Sequence, residues 1–192
     1  MRKLALVVAG FVLLLAGCGG GNGGESAVGD RQTTASEVPF DRAFIDAMVP
    51  HHESAIKMAR DAKEAGLTTP ELVEIADDII ATQQQEIDQM LAWREEWFGS
   101  RERESEEQAL ETLALTMEEA GMEHTGDLST AEDVNQAFAG MMIGHHVGAI
   151  RMAELAQERA EHAELEELAG AIIAAQEREI EVLEKHATGA HG

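Results

Sequence analysis

Apolar residues recur every three or four positions along almost the whole chain after Val38, which is the spacing of one face of an α-helix. The pattern predicts long helices over about 40–65 and 70–98, and a polar, weakly amphipathic and peripheral helix over 101–120. Residues 129–132 read Ser-Thr-Ala-Glu, which has the spacing of a capping box, so we expect a further long helix to begin there. The pattern is typical of an all-α protein.

The helical pattern occurs twice. FIDAMVPHHESAIKMA at 44–59 recurs as FAGMMIGHHVGAIRMA at 138–153, and IADDIIATQQQEIDQM at 75–90 recurs as LAGAIIAAQEREIEVL at 168–183. The repeated unit is therefore two helices long, and a repeat of this kind determines the architecture of the whole domain.

No glycine or proline separates the two helices of the second copy. The first copy turns at 66–70, where Gly66 is a helix stop and Pro70 a helix start, so the repeat predicts a turn near 160–164 as well. Two copied hairpins predict an antiparallel four-helix bundle. The expected parts are hairpin one at 40–98, a connecting helix and loop at 100–128 and hairpin two at 129–187, within a domain that spans 39–189.

The N-terminus has the features of a bacterial lipoprotein leader. Basic Arg2 and Lys3 precede an apolar run that is too short to span a bilayer, which predicts a signal peptide at 1–17. The run ends in Leu-Ala-Gly-Cys, which resembles a lipobox, so we expect lipid on Cys18; a plain signal peptide followed by an unrelated cysteine is the alternative. The Gly-rich segment 18–38 then predicts a flexible tether. We expect an extracytoplasmic protein that a lipidated cysteine anchors to the bacterial cell membrane.

The chain is strongly acidic. It carries 37 Asp and Glu residues against 14 Lys and Arg residues, a formal net charge of −23. This charge argues against nucleic acid as a partner, because nucleic-acid binding needs a basic surface. It also argues against direct adhesion of the domain to anionic lipid.

Each copy places histidine on the buried face of its first helix. Advancing 100° per residue puts His51 near the middle of the apolar face, beside Met48, and His52 at its edge. His145 and His146 take the same two positions in the second copy.

The second helix of each copy also carries polar side chains on its apolar face. Gln83 lies in the middle of that face and Glu86 at its rim, and Gln176 and Glu179 repeat the arrangement. A buried polar group without a partner costs about 1–3 kcal/mol. Two arrangements would supply partners: a layer in which the central histidines hydrogen-bond to the Gln or Glu side chains, or a metal ion bound between the helices.

Methionine accompanies both histidine pairs. Mixed imidazole and thioether ligands suit copper, and Cu(I) especially, although methionine also fills ordinary cores. The candidate metal ligands are Met48, His51, His52, Met58, Met142, His145, His146 and Met152. Pro50 and Gly144 weaken each helix just before its histidines, through either a locally opened backbone or a packing accommodation. Met117, Met122 and His124 form a second, exposed candidate, which an ordinary flexible loop would also explain.

The motif M-x-P-H-H-x-x-A-I-x-M-A, followed by Q-x-x-E-I-x-x-M, resembles the bacterial family known as domain of unknown function 305. The resemblance covers most of 40–187 and both copies, except that Gly144 replaces the motif proline. It implies a ferritin-like four-helix bundle in an exported protein and, in some relatives, an association with copper handling. The motif residues it carries over are the eight candidate ligands and the second-helix set Gln83, Glu86, Gln176 and Glu179.

Three functions are compatible with these features. The first is a membrane-anchored, metal-binding lipoprotein that handles copper. The second, a di-iron enzyme, is disfavoured because no histidine follows a glutamate by three residues and His52-Glu53 does not continue into a His-Glu-x-x-His motif. We therefore expect no catalytic residues. The third is a scaffold or protein-interaction bundle without metal, in which Trp93 and Trp97 are the aromatic anchors.

Overall fold

A computed structural model describes residues 38–123 and 126–187 of the chain. The described residues form five α-helices and one 3-10 turn, and no β-strand occurs among them. The helices are α1 (Phe40–Ala65), α2 (Pro70–Phe98), α3 (Glu106–Leu113), α4 (Val134–Arg159) and α5 (Ala163–Ala187), and the 3-10 turn (Leu128–Thr130) precedes α4. The predicted leader, the lipidation site Cys18, most of the tether and His124 lie outside the described residues.

The fold is an all-α, ferritin-like antiparallel four-helix bundle made of two duplicated hairpins. Helices α1 and α2 form the first hairpin and α4 and α5 the second, and α1 packs along α4. Helix α3 covers α1 from outside, whereas α2 and α5 approach each other only sparsely. Within the described part of the chain, no helix combines the length and apolar character needed to cross a bilayer.

The turn between α1 and α2, within the first hairpin, makes hydrogen bonds to the second hairpin. Gly66 adopts the left-handed conformation (φ 104°) and lets Leu67 donate back to the Ala62 carbonyl at 2.9 Å, which ends α1. The first amides of the next helix are capped from α4: the Asn135 side-chain oxygen accepts hydrogen bonds from the backbone N–H groups of Thr68 and Thr69 at 3.0 and 2.9 Å. The Thr69 side chain, the expected cap, makes no capping bond.

The second hairpin turns at 160–162, where the repeat predicts a turn. Its local sequence, Ala-Glu-His, contains no turn-forming residue. The buried carboxylate of Asp41, at the start of α1, accepts hydrogen bonds from the backbone N–H groups of Glu161 and His162 at 3.0 and 2.9 Å. A side chain from the other hairpin therefore holds this turn.

Two predictions about the connecting region are wrong. The helix expected over 101–120 is confined to α3, because Ala114 adopts a left-handed conformation (φ 59°) and ends it. The helix expected to begin at 129–132 begins instead at Val134. Asp133 caps it by accepting from the Gln136 backbone N–H at 3.1 Å, while Ser129 lies in the 3-10 turn and donates to Asp127.

Candidate metal centre

The central histidines of the two copies meet in the middle of the bundle. His51 on α1 and His145 on α4 are 0% and 1% exposed, and their ring centroids lie 3.7 Å apart with a tilt of 44° between the ring planes. Helices α1 and α4 run antiparallel, so the repeat brings equivalent positions face to face. The prediction that these two side chains face each other across the core is confirmed.

The outer histidines are each bound by a glutamate of the second helix in the same copy. His52 Nε2 lies 2.7 Å from Glu86 Oε2, and His146 Nε2 lies 2.6 Å from Glu179 Oε2. Both imidazoles are fully buried, while the glutamate side chains are about one-fifth exposed at the rim. A carboxylate oxygen accepts, so Nε2 carries the proton in each pair and Nδ1 of the neutral ring carries the lone pair.

Four buried polar atoms of this layer have no hydrogen-bond partner among the described residues. They are equivalent in the two copies: His52 Nδ1 and His146 Nδ1, and Gln83 Oε1 and Gln176 Oε1. Both glutamines are only 3% exposed. Each such atom costs about 1–3 kcal/mol, and a bound group that interacted with these atoms would offset that cost. The predicted hydrogen-bonded layer pairs the central histidines with the glutamines or with the rim glutamates, and the structure pairs those glutamates with the outer histidines.

Four methionines flank the histidine layer. Met48 and Met152 belong to one apolar cluster of the core, and Met58 and Met142 belong to the other. All four are buried, at 0%, 0%, 5% and 0% exposure in that order. The structure thus places one methionine from each copy in each cluster.

A groove between α2 and α5 lies over the layer. Its cavity measures about 560 Å³ and is lined by Gln83, Glu86, Gln176 and Glu179, which approach it from the two helices. The sparse packing of α2 on α5 leaves this space open. The second-helix polar residues that the sequence singles out therefore surround a single cavity.

The oxygen and nitrogen ligands do not form a complete cage. Across residues 38–123 and 126–187, no three or more His, Cys, Asp or Glu side chains are grouped so as to hold a metal ion. A metal in this layer would need other donors beside imidazole, and the sequence supplies methionine sulfur and the buried amide oxygens of Gln83 and Gln176. This chemistry favours a soft cation over a hard one such as Mg²⁺ or Ca²⁺, which requires six or more oxygens.

The remaining candidates take other positions. Met117 is 37% exposed and Met122 packs against the core, so these two loop methionines face different environments. Helices α1 and α4 continue without interruption through Pro50 and Gly144.

Sequence reasoning missed two polar clusters at the end of the bundle. Arg94 and Asp46, both at most 2% exposed, form a buried ion pair in which two guanidinium nitrogens donate to the two carboxylate oxygens. His162 donates to Asp41 through Nδ1 at 2.6 Å and stacks on Trp97, with 3.7 Å between ring centroids. The first pair could have been suspected from the sequence, because Asp46 lies among apolar residues in FIDAM and a charged residue buried there needs an oppositely charged partner.

Solved structures share this architecture. The structure described as CopM in the Cu(I)-bound form is 29% identical over 79% of this chain and 98% of that chain, with a TM-score of 0.63. CopM in the Cu(II)-bound form is 29% identical over 77% of this chain and 95% of that chain, with a TM-score of 0.62. A DUF305 protein of Streptomyces coelicolor described as secreted is 24% identical over 76% of this chain and 90% of that chain, with a TM-score of 0.65, and shares the fold.

None of the curated proteins matches this chain. The family model described as domain of unknown function (DUF305) matches residues 25–94 and 41–187, which together span both hairpins and all four histidines of the central layer. The chain belongs to the DUF305 family.

Proposed function

We propose that this protein is an extracytoplasmic copper-binding protein that holds Cu(I), or its soft analogue Ag(I), in the central histidine layer. The observation that carries the proposal is the duplicated Glu–His unit. In each copy a rim carboxylate binds the Nε2–H of a buried imidazole and leaves Nδ1 without a partner among residues 38–123 and 126–187.

The Glu–His unit is the arrangement that orients a histidine for metal binding. A carboxylate on one ring nitrogen fixes the tautomer and makes the other nitrogen a stronger ligand. In this proposal His52 and His146 bind through Nδ1, and the central His51 and His145, whose ring centroids lie 3.7 Å apart, supply the other imidazole ligands, so the site requires both pairs. Met48, Met58, Met142 and Met152 supply thioether sulfur, which selects Cu(I) among the copper oxidation states.

The comparisons support a soft metal and do not point to catalysis. CopM, 98% of whose chain is covered by the match, is described in Cu(I)-bound, Cu(II)-bound and Ag-bound forms. Neither CopM nor the Streptomyces protein is described as an enzyme. The acidic surface, with a net charge of −23, supports the same function because it raises the local concentration of cations.

The test is a titration of the full chain with Cu(I), Ag(I) and Zn(II), compared with the His51→Ala/His145→Ala variant. We expect the natural chain to take up Cu(I) and Ag(I) stoichiometrically and more tightly than Zn(II). The variant should lose this uptake while circular dichroism shows that it remains helical. The His186→Ala variant is the matched control, because His186 lies at the end of α5 with Glu71 as its partner, away from the layer.

The alternative function is a scaffold or interaction bundle in which the histidine layer serves fold specificity only. It predicts that the double variant is less stable and binds metal as the natural chain does. Equal uptake by the folded double variant would therefore contradict the copper site. Loss of uptake in the His186→Ala variant instead would move the site to the C-terminal end of the chain.

We also propose that the domain is exported and anchored to the outer face of the cell membrane through lipid on Cys18. The basic and apolar leader and the Leu-Ala-Gly-Cys sequence support this placement. The Cys18→Ala variant should appear in the soluble fraction or as an unprocessed precursor, whereas the natural chain should partition with membranes. Unchanged processing and membrane retention of the variant, measured by cell fractionation and mass spectrometry, would contradict lipid anchoring.

A further inference from the structure

A second cavity reaches the histidine layer from the other side of the bundle. It measures about 440 Å³ and lies between α4 and the segment that precedes the 3-10 turn. The residues that define it are Glu118, Glu123, Gly140, Met141, Gly144 and His145. His145, a central histidine of the layer that is 1% exposed, is therefore one of the lining residues of an open cavity. No histidine lines the groove between α2 and α5, where Gln and Glu side chains cover the layer.

The cavity exists in one copy of the repeat because the two copies differ at the positions beside the histidines. Gly140 and Gly144 stand where the first copy has Asp46 and Pro50. Asp46 is 1% exposed, binds the Arg94 guanidinium and accepts a hydrogen bond from the backbone N–H of Glu104 at 3.2 Å. At the corresponding place in the first copy a buried ion pair therefore stands where Gly140 has no side chain, and the cavities that Arg94 and Asp46 line include no histidine.

The loop before α4 sets the edge of the cavity without filling it. A Cβ atom on Gly148 would lie 2.1 Å from the Ala120 carbonyl oxygen, and one on Gly121 would lie 2.5 Å from the Gly144 carbonyl oxygen. The backbone of the loop therefore rests directly on α4 at these points. In contrast, a Cβ atom on Gly140 or Gly144 would meet nothing within 4 Å, so the space beside these residues is open.

The residues that line the cavity include carboxylate and thioether side chains, which can attract and bind a soft cation. Glu118 and Glu123 line it as exposed residues, and Met141 adds a half-buried thioether. Carboxylates attract any cation, whereas thioether sulfur retains soft ones.

We propose that this cavity is the route by which Cu(I) or Ag(I) reaches the histidine layer, with Met141 and His145 as successive contacts. The inference rests on the proposed copper-binding function and adds to it a direction: metal enters through the second copy of the repeat, beside Gly144.

The experiment fills the cavity without touching a proposed ligand. Gly144→Leu places a side chain where a Cβ has open space, and leucine favours helix more than glycine does, so the fold should be retained. The matched control is Ala171→Leu, an exposed residue that lines the groove between α2 and α5. Stopped-flow transfer of Cu(I) from a coloured chelator gives the rate of loading, and equilibrium competition with the same chelator gives the affinity.

We expect Gly144→Leu to slow loading and release by at least about tenfold and to leave the affinity unchanged, because a blocked route raises a barrier and does not alter the bound state. Ala171→Leu should load at the natural rate. Gly140→Leu, which fills the same cavity one turn away, should slow loading as well.

Three outcomes separate the two proposals. Natural loading rates in both Gly144→Leu and Gly140→Leu would overturn the route and leave the copper site standing. Slow loading in Ala171→Leu alone would place the route in the groove between α2 and α5 and so contradict this one. Failure of the natural chain to take Cu(I) from the chelator, or retention of Cu(I) binding by the His51→Ala/His145→Ala variant, would overturn the proposed copper site itself.

Discussion

Saturating Ag(I) will raise the melting temperature of the full chain by about 8–16 °C. The figure follows from two relations. A ligand present at 1,000 times its dissociation constant stabilises the folded state by about 4.1 kcal/mol, and 1 kcal/mol shifts the melting temperature of a domain of this size by about 2–4 °C. The physical source of the gain lies in the histidine layer, where two imidazole nitrogens and two amide oxygens are buried without a protein partner among the described residues.

Thermal unfolding followed by circular dichroism at increasing Ag(I) concentration measures this shift. The His51→Ala/His145→Ala variant should melt at a lower temperature without metal and should gain little from it. Mg(II) is the control for the acidic surface, because a chain of net charge −23 attracts any cation, whereas the imidazole and thioether donors proposed for the layer suit a soft one. An equal shift with Mg(II), or an equal shift in the variant, would show that the metal acts on the surface and not in the layer.

The repeat accounts for most of what the sequence predicts correctly. In two antiparallel helices related by a pseudo-two-fold axis, equivalent positions meet where they lie near that axis, and the middle of each helix is such a place, which is why His51 and His145 could be expected to face each other. The turn at 160–162 could be expected for the same reason, although nothing in its local sequence marks it. Its stabilising group, the carboxylate of Asp41, lies 120 residues earlier in the chain, at a distance that no local pattern covers.

The partners of the polar side chains could not be predicted in the same way. Helical periodicity gives the angle of a residue on its own helix, but the rotation of one helix against another decides which side chains touch. Periodicity therefore places Glu86 at the rim of its helix face. It could not show that Glu86 binds the outer His52, because that contact depends on how α1 and α2 pack together. The difference between the copies also needed the structure, because Asp46 closes one surface through Arg94, whose role the sequence does not show.

The pairing of each glutamate with an outer histidine leads to the second large effect. The Glu86→Gln/Glu179→Gln variant should bind Cu(I) and Ag(I) about 10–100-fold more weakly than the natural chain, which is the usual cost of losing the carboxylate behind a metal-binding histidine. Glutamine has the same shape and its amide oxygen can still accept the Nε2–H hydrogen bond. The change therefore removes the negative charge that strengthens the opposite nitrogen, and it leaves the side-chain geometry in place.

The control for this variant is Glu74→Gln/Glu167→Gln. These residues occupy equivalent positions of α2 and α5, are exposed and produce the same change in net charge away from the histidine layer. If the acidic surface alone concentrated the metal, the two double variants would lose affinity equally in a competition titration. If the layer were only a hydrogen-bonded device for fold specificity, Glu86→Gln/Glu179→Gln would lower the melting temperature and leave metal affinity unchanged. A selective loss of affinity in the Glu86/Glu179 variant, with helicity retained, is the result that places the metal ion at the Glu–His units, because removing a carboxylate charge weakens the binding of a cation most when the cation lies close to it.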